Sequence, residues 1–403
     1  MRRTPLELSE RLSAEFGARI YLKREDLQNV RSYKIRGAFN RMSRLSEAER
    51  ARGVVCASAG NHAQGMAQGC RLMGVPGWVF MPQNTPRQKV ARVRALGGDS
   101  VQIELGGDTF DDAKRASETF AQANGLTLIP PFDDPAVIAG QGTVAVEVTQ
   151  QLQEAGETTA PLVVAGVGGG GLLAGMATYL QTALPQARFV GVEPEGAASL
   201  QAAFDADRTV TLPTIDTFVD GAAVRCVGEN NFALLRPLYP NYLTVQTVPE
   251  GQVCTSMIAL YQNDGIIAEP AGALTIAALP SLREQIQNRL VVCIISGGNN
   301  DISRYPEVIE RSLVHQGLKH YFLIEFSQRA GALRQYLDEA LSPTDDITLF
   351  EYVKKNNREF GPALVGIELS TRADLAPLLA RMDAIGLRYQ RVEQNSPLYR
   401  FLV

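Results

Sequence analysis

Short runs of β-branched and apolar residues recur up to about residue 312, separated by stretches of helix length. The runs are RIYLKRE (19–25), GVVCASAG (53–60), PGWVFMP (76–82), SVQIEL (100–105), LTLIPP (126–131), PLVVAGVG (161–168), RFVGVEP (188–194), LTVQTV (243–248) and RLVVCIIS (289–296). A strand with one wet face alternates apolar and polar residues, and most of these runs do not. Near-continuous Val/Ile runs belong to strands covered on both faces, which parallel strands joined by helices achieve. Residues 62–74, 85–98 and 108–125 are such helical stretches. The pattern predicts an α/β body with a mainly parallel sheet.

The tail has a different rhythm. KHYFLIEF (319–326), RAGALRQYLDEAL (329–341), DITLFEYVKK (346–355), PALVGIEL (362–369), RADLAPLLARMDAIG (372–386) and LRYQRV (387–392) read as βαββαβ. That order is the ferredoxin-like arrangement. With 403 residues the chain exceeds what one core supports. The expected division is a body over 1–313 and an α+β domain over 318–403, with ERSLVHQGLK (310–319) as linker.

The net charge of -4, with no basic run, argues against a nucleic-acid partner. No stretch approaches the ~20 apolar residues of a membrane span, and the N-terminus is charged throughout. No membrane association and a cytoplasmic location are expected. Cys56, Cys70, Cys226, Cys254 and Cys293 form no C-x-x-C pair and read as small core residues. His62, His315 and His320 lack metal-ligand spacing, so no metal site is expected.

Five local features carry chemistry. In Ser32-Tyr33-Lys34-Ile35-Arg36-Gly37 a lysine opens a helix, where the positive dipole end disfavours its ammonium form. An uncharged amine is what a Schiff-base lysine requires; the plain alternative is a solvated surface lysine. Ser58-Ala59-Gly60-Asn61-His62 ends a buried strand in small residues whose free N–H groups suit a carboxylate; otherwise Asn61 simply caps a helix. Gly168-Gly169-Gly170-Gly171-Leu172 follows another buried strand, and its glycines let backbone wrap an anion at a helix start. No Gly-Lys-Ser/Thr follows, so it is not a P-loop. Glu193 after the next strand is a feature that a dinucleotide site would share, but the fingerprint itself matches only loosely. Glu269 opens a helix at Glu269-Pro270-Ala271-Gly272, where dipole complementarity alone accounts for an acid. Ser296-Gly297-Gly298-Asn299-Asn300 leaves the last buried strand at the carboxyl edge, where ligands of such sheets sit. Taken in order, the set suits one ligand with a phosphate, an aldehyde and a ring nitrogen.

That ordered set resembles the fold type II pyridoxal-phosphate enzymes (tryptophan synthase β-like, with a two-subdomain body). Within them it resembles the biosynthetic threonine deaminases, short form, along nearly the whole chain. The resemblance implies that Lys34 carries pyridoxal 5'-phosphate and that Gly168, Gly169, Gly170, Gly171 and Leu172 hold its phosphate. Asn61 would contact its ring hydroxyl and Ser296 would face its pyridine nitrogen. Ser58, Ala59, Gly60, Asn61 and His62 would bind the substrate carboxylate, with Glu269 also at the substrate.

The tail is similar to that family's ACT-like regulatory module. Where the family often reads Arg-Pro-Gly-Ala-Leu, this chain reads Arg329-Ala330-Gly331-Ala332-Leu333. The implied activity turns L-threonine into 2-oxobutanoate and ammonia, the first step of isoleucine biosynthesis. Isoleucine, with valine as a second candidate, is the implied effector and a homotetramer the implied assembly. Two other readings stand beside this one. The first is another enzyme of the same fold, such as a serine/threonine dehydratase or serine racemase. The second is a non-catalytic nucleotide or amino-acid sensor.

Overall fold

In the computed structural model, residues 1–353, 358–393 and 396–402 are described. The chain divides into two compact units, Met1–Asp301 and Ile302–Val403.

The first unit contains two sheets. The larger has six strands in the spatial order Leu6–Leu8, Arg19–Arg24, Leu290–Ile295, Leu162–Gly166, Arg188–Pro194 and Leu243–Val248. All neighbours pair in parallel except Leu6–Leu8, which runs antiparallel to Arg19–Arg24 at the edge. The smaller sheet is wholly parallel, in the order Val101–Leu105, Gly77–Met81, Val54–Ala57, Thr127–Leu128. Each sheet has its own core. Val163, Ala165, Leu173, Phe189, Val292 and Ile294 anchor the larger one, and Val54, Cys56, Met66, Val79 and Val93 the smaller. Leu290–Ile295 is buried along its whole length, as its unbroken apolar run requires.

The expected strands are all present, LTLIPP as only two residues. Leu6–Leu8 was not expected, because three residues carry no periodicity.

The second unit follows the expected βαββαβ order. Its antiparallel sheet runs Asp346–Tyr352, Phe360–Glu368, Lys319–Ser327, Arg388–Arg391. Phe322, Ile324, Phe326, Val365, Ile367 and Leu378 form its core. The first tail helix is α-helical over Ala332–Gln335 and widens to π geometry over Tyr336–Ala340. Lys354 and Lys355, placed by sequence in the second tail strand, lie outside the described residues.

The division between compact units falls earlier than the limits 313 and 318. Most of the segment read as linker belongs to the helix Tyr305–Gln316. Glu310 on that helix accepts from Lys319 Nζ and from Tyr321 Oη, both at 2.5 Å, tying it to the first tail strand. Residue 313 therefore lies within that helix, and residue 318 directly precedes the strand Lys319–Ser327. No helix among the described residues is long and apolar enough to cross a membrane.

Candidate active site

Three segments converge on Lys34. It is the first residue of the helix Lys34–Ser43. The preceding loop is pinned to the end of Leu290–Ile295: Tyr33 N donates to Ser296 O at 3.1 Å, and Gly298 N to Arg31 O at 2.9 Å. The body of the helix is held from below. Arg36, 1% exposed, donates to both oxygens of Glu25 and both of Glu147 at 2.7–2.9 Å. Lys23, also buried, donates to Glu147 at 2.7 Å. Buried charges persist only when paired this fully.

The Lys34 side chain is half-buried, and its Nζ donates to Pro131 O at 2.9 Å. Burial pushes its pKa down to about 8, although the nearby Glu269 favours the charged form. An amine of this kind carries a substantial neutral fraction near neutral pH, which nucleophilic attack on a carbonyl requires.

Asn61 begins the helix Asn61–Met73 but does not cap it through its side chain. Its Nδ2 instead donates to Glu269 Oε1 at 2.6 Å, and its Oδ1 accepts from Asn299 Nδ2 at 2.7 Å. Glu269 is buried and is the N-cap of the helix Pro270–Ala277, rather than lying in its first turn. Burial raises its pKa to about 7, with repulsion from Asp220 adding and the Asn61 hydrogen bond opposing. Asn61, Glu269 and Asn299 thus join three segments distant in sequence. Ser58, Ala59 and Gly60 form the partly exposed turn before Asn61, and Gly60 N donates to Ser58 Oγ at 3.2 Å. His62 is buried with Nε2 against Ile129 O at 2.7 Å, a contact that holds the fold together. Burial, helped by the Lys34 charge, pushes its pKa down to about 4, so its ring is neutral.

The polyglycine segment leaves the strand Leu162–Gly166 and opens the helix Gly171–Ala183. The first N–H groups of a helix have no carbonyl partner within it and favour an anion. Gly170 is left-handed at φ 89°, a conformation open to glycine at little cost. A Cβ on Gly169 would fall 2.2 Å from the Phe132 ring, so only glycine leaves this backbone in place. Asn231 Nδ2 donates to Gly169 O at 2.7 Å and fixes the loop from behind. Leu172 is buried, so only its backbone can serve a ligand. Ser296 directly follows the strand Leu290–Ile295, and its buried Oγ donates to Ala271 O at 3.2 Å.

Glu193 has a different role from the ribose contact its position shares. It is buried, and its two oxygens accept from Leu200 N at 2.7 Å and Gln201 N at 2.9 Å. Its oxygens serve a local helix start.

Pro131, Phe132 and Asn231 also shape the site and were not singled out by sequence, whereas Asn299 lay within the Ser296–Asn300 motif. Pro-Pro-Phe after a buried run marks a strand exit, which was the available signal for the first two. Asn231 lies in no motif. A glycine cradle at a helix start and a desolvated lysine amine form a donor set that fits pyridoxal 5'-phosphate: N–H groups for its phosphate, an amine for its aldehyde. Among the described residues no group of three or more His, Cys, Asp or Glu could hold a metal ion.

Comparison with known proteins agrees with this geometry. Residues 1–297 match the family described as pyridoxal-phosphate dependent enzyme, and residues 310–402 match the C-terminal regulatory domain of threonine dehydratase. The chain is 56% identical over 401 residues to the biosynthetic L-threonine dehydratase IlvA of Mycobacterium bovis, covering 99% of this chain and 92% of that protein. It is 51% identical over 400 residues to the Bacillus subtilis protein of the same name, covering 99% and 93%. The solved structure of the processed form of threonine deaminase isoform 2 from Solanum lycopersicum superposes with a TM-score of 0.72. That match has 41% identity and covers 77% of this chain and 88% of the other. The chain therefore belongs to the biosynthetic L-threonine dehydratase family of pyridoxal-phosphate dependent enzymes.

Proposed function

We propose that this protein dehydrates and deaminates L-threonine to 2-oxobutanoate and ammonia, with Lys34 carrying the cofactor and acting as the base. The observation that carries the reading is the Lys34 amine, desolvated to a pKa of about 8 beside the Asn61–Glu269 pair. Pyridoxal 5'-phosphate, when bound, supplies the electron sink for charge developing at the substrate Cα. Gly168, Gly169, Gly170, Gly171 and the Leu172 backbone would hold its phosphate, Asn61 its ring hydroxyl, and Ser296 the face of its ring nitrogen.

The turn Ser58-Ala59-Gly60-Asn61 would bind the substrate carboxylate through backbone N–H groups. His62, with its ring committed to Ile129, would contribute only from its backbone. Lys34 Nζ would accept the Cα proton of the bound substrate. The β-hydroxyl would leave as water, the proton removed from Cα balancing the hydroxide that departs from Cβ. That water returns when the released enamine hydrolyses, so the net change is loss of ammonia. Ser296 offers a neutral hydroxyl where an aspartate would enforce a protonated ring, and the weaker sink favours prompt loss of the β group. Glu269, held on Asn61, would interact with the substrate.

The regulatory reading follows the second unit, whose family match is to a regulatory domain. Isoleucine, with valine as the other candidate, would act there as feedback effector. A cytoplasmic homotetramer completes the assignment; sedimentation of the purified protein tests the assembly.

The test compares threonine with serine as substrate, with and without isoleucine, beside the absorbance of the purified protein. A band near about 410–420 nm, characteristic of a protonated Schiff base of the cofactor, is expected, and it should vanish in Lys34→Ala. A protein that shows no such band after addition of pyridoxal phosphate, or that turns over serine and not threonine, contradicts the assignment.

A further inference from the structure

The side-chain amide of Asn61 is held one way round. An amide has a donor end and an acceptor end, and its neighbours decide which end goes where. The deciding neighbour here is Asn299. Its Nδ2 donates to Val30 O at 2.8 Å and to Asn61 Oδ1 at 2.7 Å. The Val30 carbonyl can only accept, so Asn299 must turn its NH2 group toward it. The same NH2 group meets Asn61, which can answer only with its oxygen. The nitrogen of Asn61 is thereby directed to Glu269, whose Oε1 accepts from it at 2.6 Å. A carboxyl can offer that oxygen as an acceptor whether or not its other oxygen carries a proton.

The backbone around this relay is tied together. Gly298 N donates to Arg31 O at 2.9 Å, Glu269 N to Gly297 O at 3.1 Å, and Asn300 Nδ2 to Ala268 O at 3.1 Å. A Cβ on Gly297 would fall 2.1 Å from Glu269 Oε1, so the carboxyl lies directly against this glycine. Val30 and Glu269 are buried, which keeps water from taking the place of either partner. Turning Asn61 over would set its oxygen against the Glu269 carboxyl and its NH2 against that of Asn299. Both contacts would become repulsive. In the orientation present, Oδ1 and one N–H of Asn61 are satisfied, and its second N–H has no acceptor among the described residues.

We propose that Asn299, acting with Glu269, is a positioning residue that fixes Asn61 as a hydrogen-bond donor, so that its remaining N–H meets the ring hydroxyl of pyridoxal 5'-phosphate and favours that oxygen as an anion. The proposal rests on the reading of Asn61 as the ring-hydroxyl contact. It adds the sense of that hydrogen bond and the residues that impose it. Hydrogen bonds to an ionised oxygen are roughly twice as strong as neutral ones, so the orientation of this one amide bears on cofactor affinity. It also bears on absorbance. A donor at the ring oxygen leaves the proton on the Schiff-base nitrogen, whereas an acceptor there draws the proton onto the ring oxygen.

The experiment titrates full-length apoenzyme with pyridoxal phosphate and follows the absorbance. The unchanged protein is compared with Asn61→Ala, with Asn299→Ala, and with Asn299→Asp combined with Glu269→Gln. Asn299→Ala loses the bond to Val30 but leaves Glu269 holding the Asn61 nitrogen. The paired variant loses the same bond and reverses both neighbours of Asn61, because a carboxylate at position 299 can only accept and an amide at position 269 can donate. Asn299→Ala should bind the cofactor within about threefold of the unchanged protein and keep the band near about 410–420 nm. The paired variant should bind at least about tenfold more weakly, and part of its band should move to shorter wavelength. Equal Kd and equal spectra in these two variants overturn the positioning role and leave the Asn61 contact standing. Unaltered Kd and band in Asn61→Ala overturn the Asn61 contact itself, and the proposal with it. A second measurement needs no altered site. In the unchanged protein carrying isotope-labelled asparagine, one Asn61 Nδ2 proton, assigned by its absence from Asn61→Ala, should shift strongly downfield when pyridoxal phosphate is added. Two unmoved protons overturn the proposal even where the paired variant does not fold.

Discussion

Replacing Gly169 by alanine tests the cradle directly. The added Cβ would fall 2.2–2.4 Å from three atoms of the Phe132 ring, where contacts under 3.0 Å do not persist. Relief requires a displacement of about 0.8 Å, and neither side yields easily. Asn231 holds the Gly169 carbonyl, while Pro131, next to Phe132, accepts from Lys34. Hydrogen bonds to an anion span only about 2.7–3.2 Å, so such a shift removes at least one from the phosphate. Loss of one charge-assisted bond costs about 1.5–3 kcal/mol, or about 10- to 150-fold in cofactor Kd. The assay is titration of apoenzyme with pyridoxal phosphate, followed by absorbance. Phe132→Ala removes the obstructing ring, so the double variant should regain part of the affinity lost in Gly169→Ala. Full affinity in Gly169→Ala would refute the argument. So would a double variant no better than Gly169→Ala, provided Phe132→Ala alone binds normally.

Three further outcomes follow from the same geometry. Capture of the cofactor needs the free amine of Lys34, so reconstitution of apoenzyme should quicken as pH rises and level off above about 8; continued acceleration towards the ordinary 10.5 would mean the amine is not desolvated. Ser296→Asp should keep the cofactor band but lose at least about tenfold in kcat, about 1.4 kcal/mol of barrier. Undiminished turnover would end the account of reaction choice. Arg36→Met strands the buried Glu25 and should cost about 3–5 kcal/mol in urea unfolding, part of which Glu25→Gln in the same chain restores. An unchanged midpoint would show that the charge cluster does not hold the helix.

The architecture was largely legible because its signals are local. A run such as RLVVCIIS can satisfy its apolar residues only as a strand covered on both faces, and Leu290–Ile295 is buried throughout. The tail's βαββαβ order was equally plain. What escaped was set by partners rather than by pattern. The edge strand Leu6–Leu8 exists because Arg19–Arg24 offers it a ladder. The helix Tyr305–Gln316 belongs with the tail because Glu310 meets Lys319 and Tyr321, a contact that no periodicity announces.

The site divides along the same line, and Lys34 shows why. Glycines after a buried strand advertise an anion cradle from sequence alone, since few other uses require four in a row. A lysine at a helix start advertises little. Sequence assigned its neutral amine to the helix dipole, but the larger cause is burial, with Glu269 opposing. That burial is assembled from afar. Pro131 approaches from 97 positions away, and the helix beneath is fixed through Glu147, 111 positions from Arg36. Residues 34–37 fold into this place because Arg36 finds two carboxylates and Gly37 N finds Gln141 Oε1 at 3.1 Å. The clamp at Arg36 sets the position of the amine at Lys34, and the desolvation there sets its reactivity. A lysine in the same segment without that clamp would keep an ordinary pKa, so the motif specifies the residue while the distant carboxylates specify its chemistry.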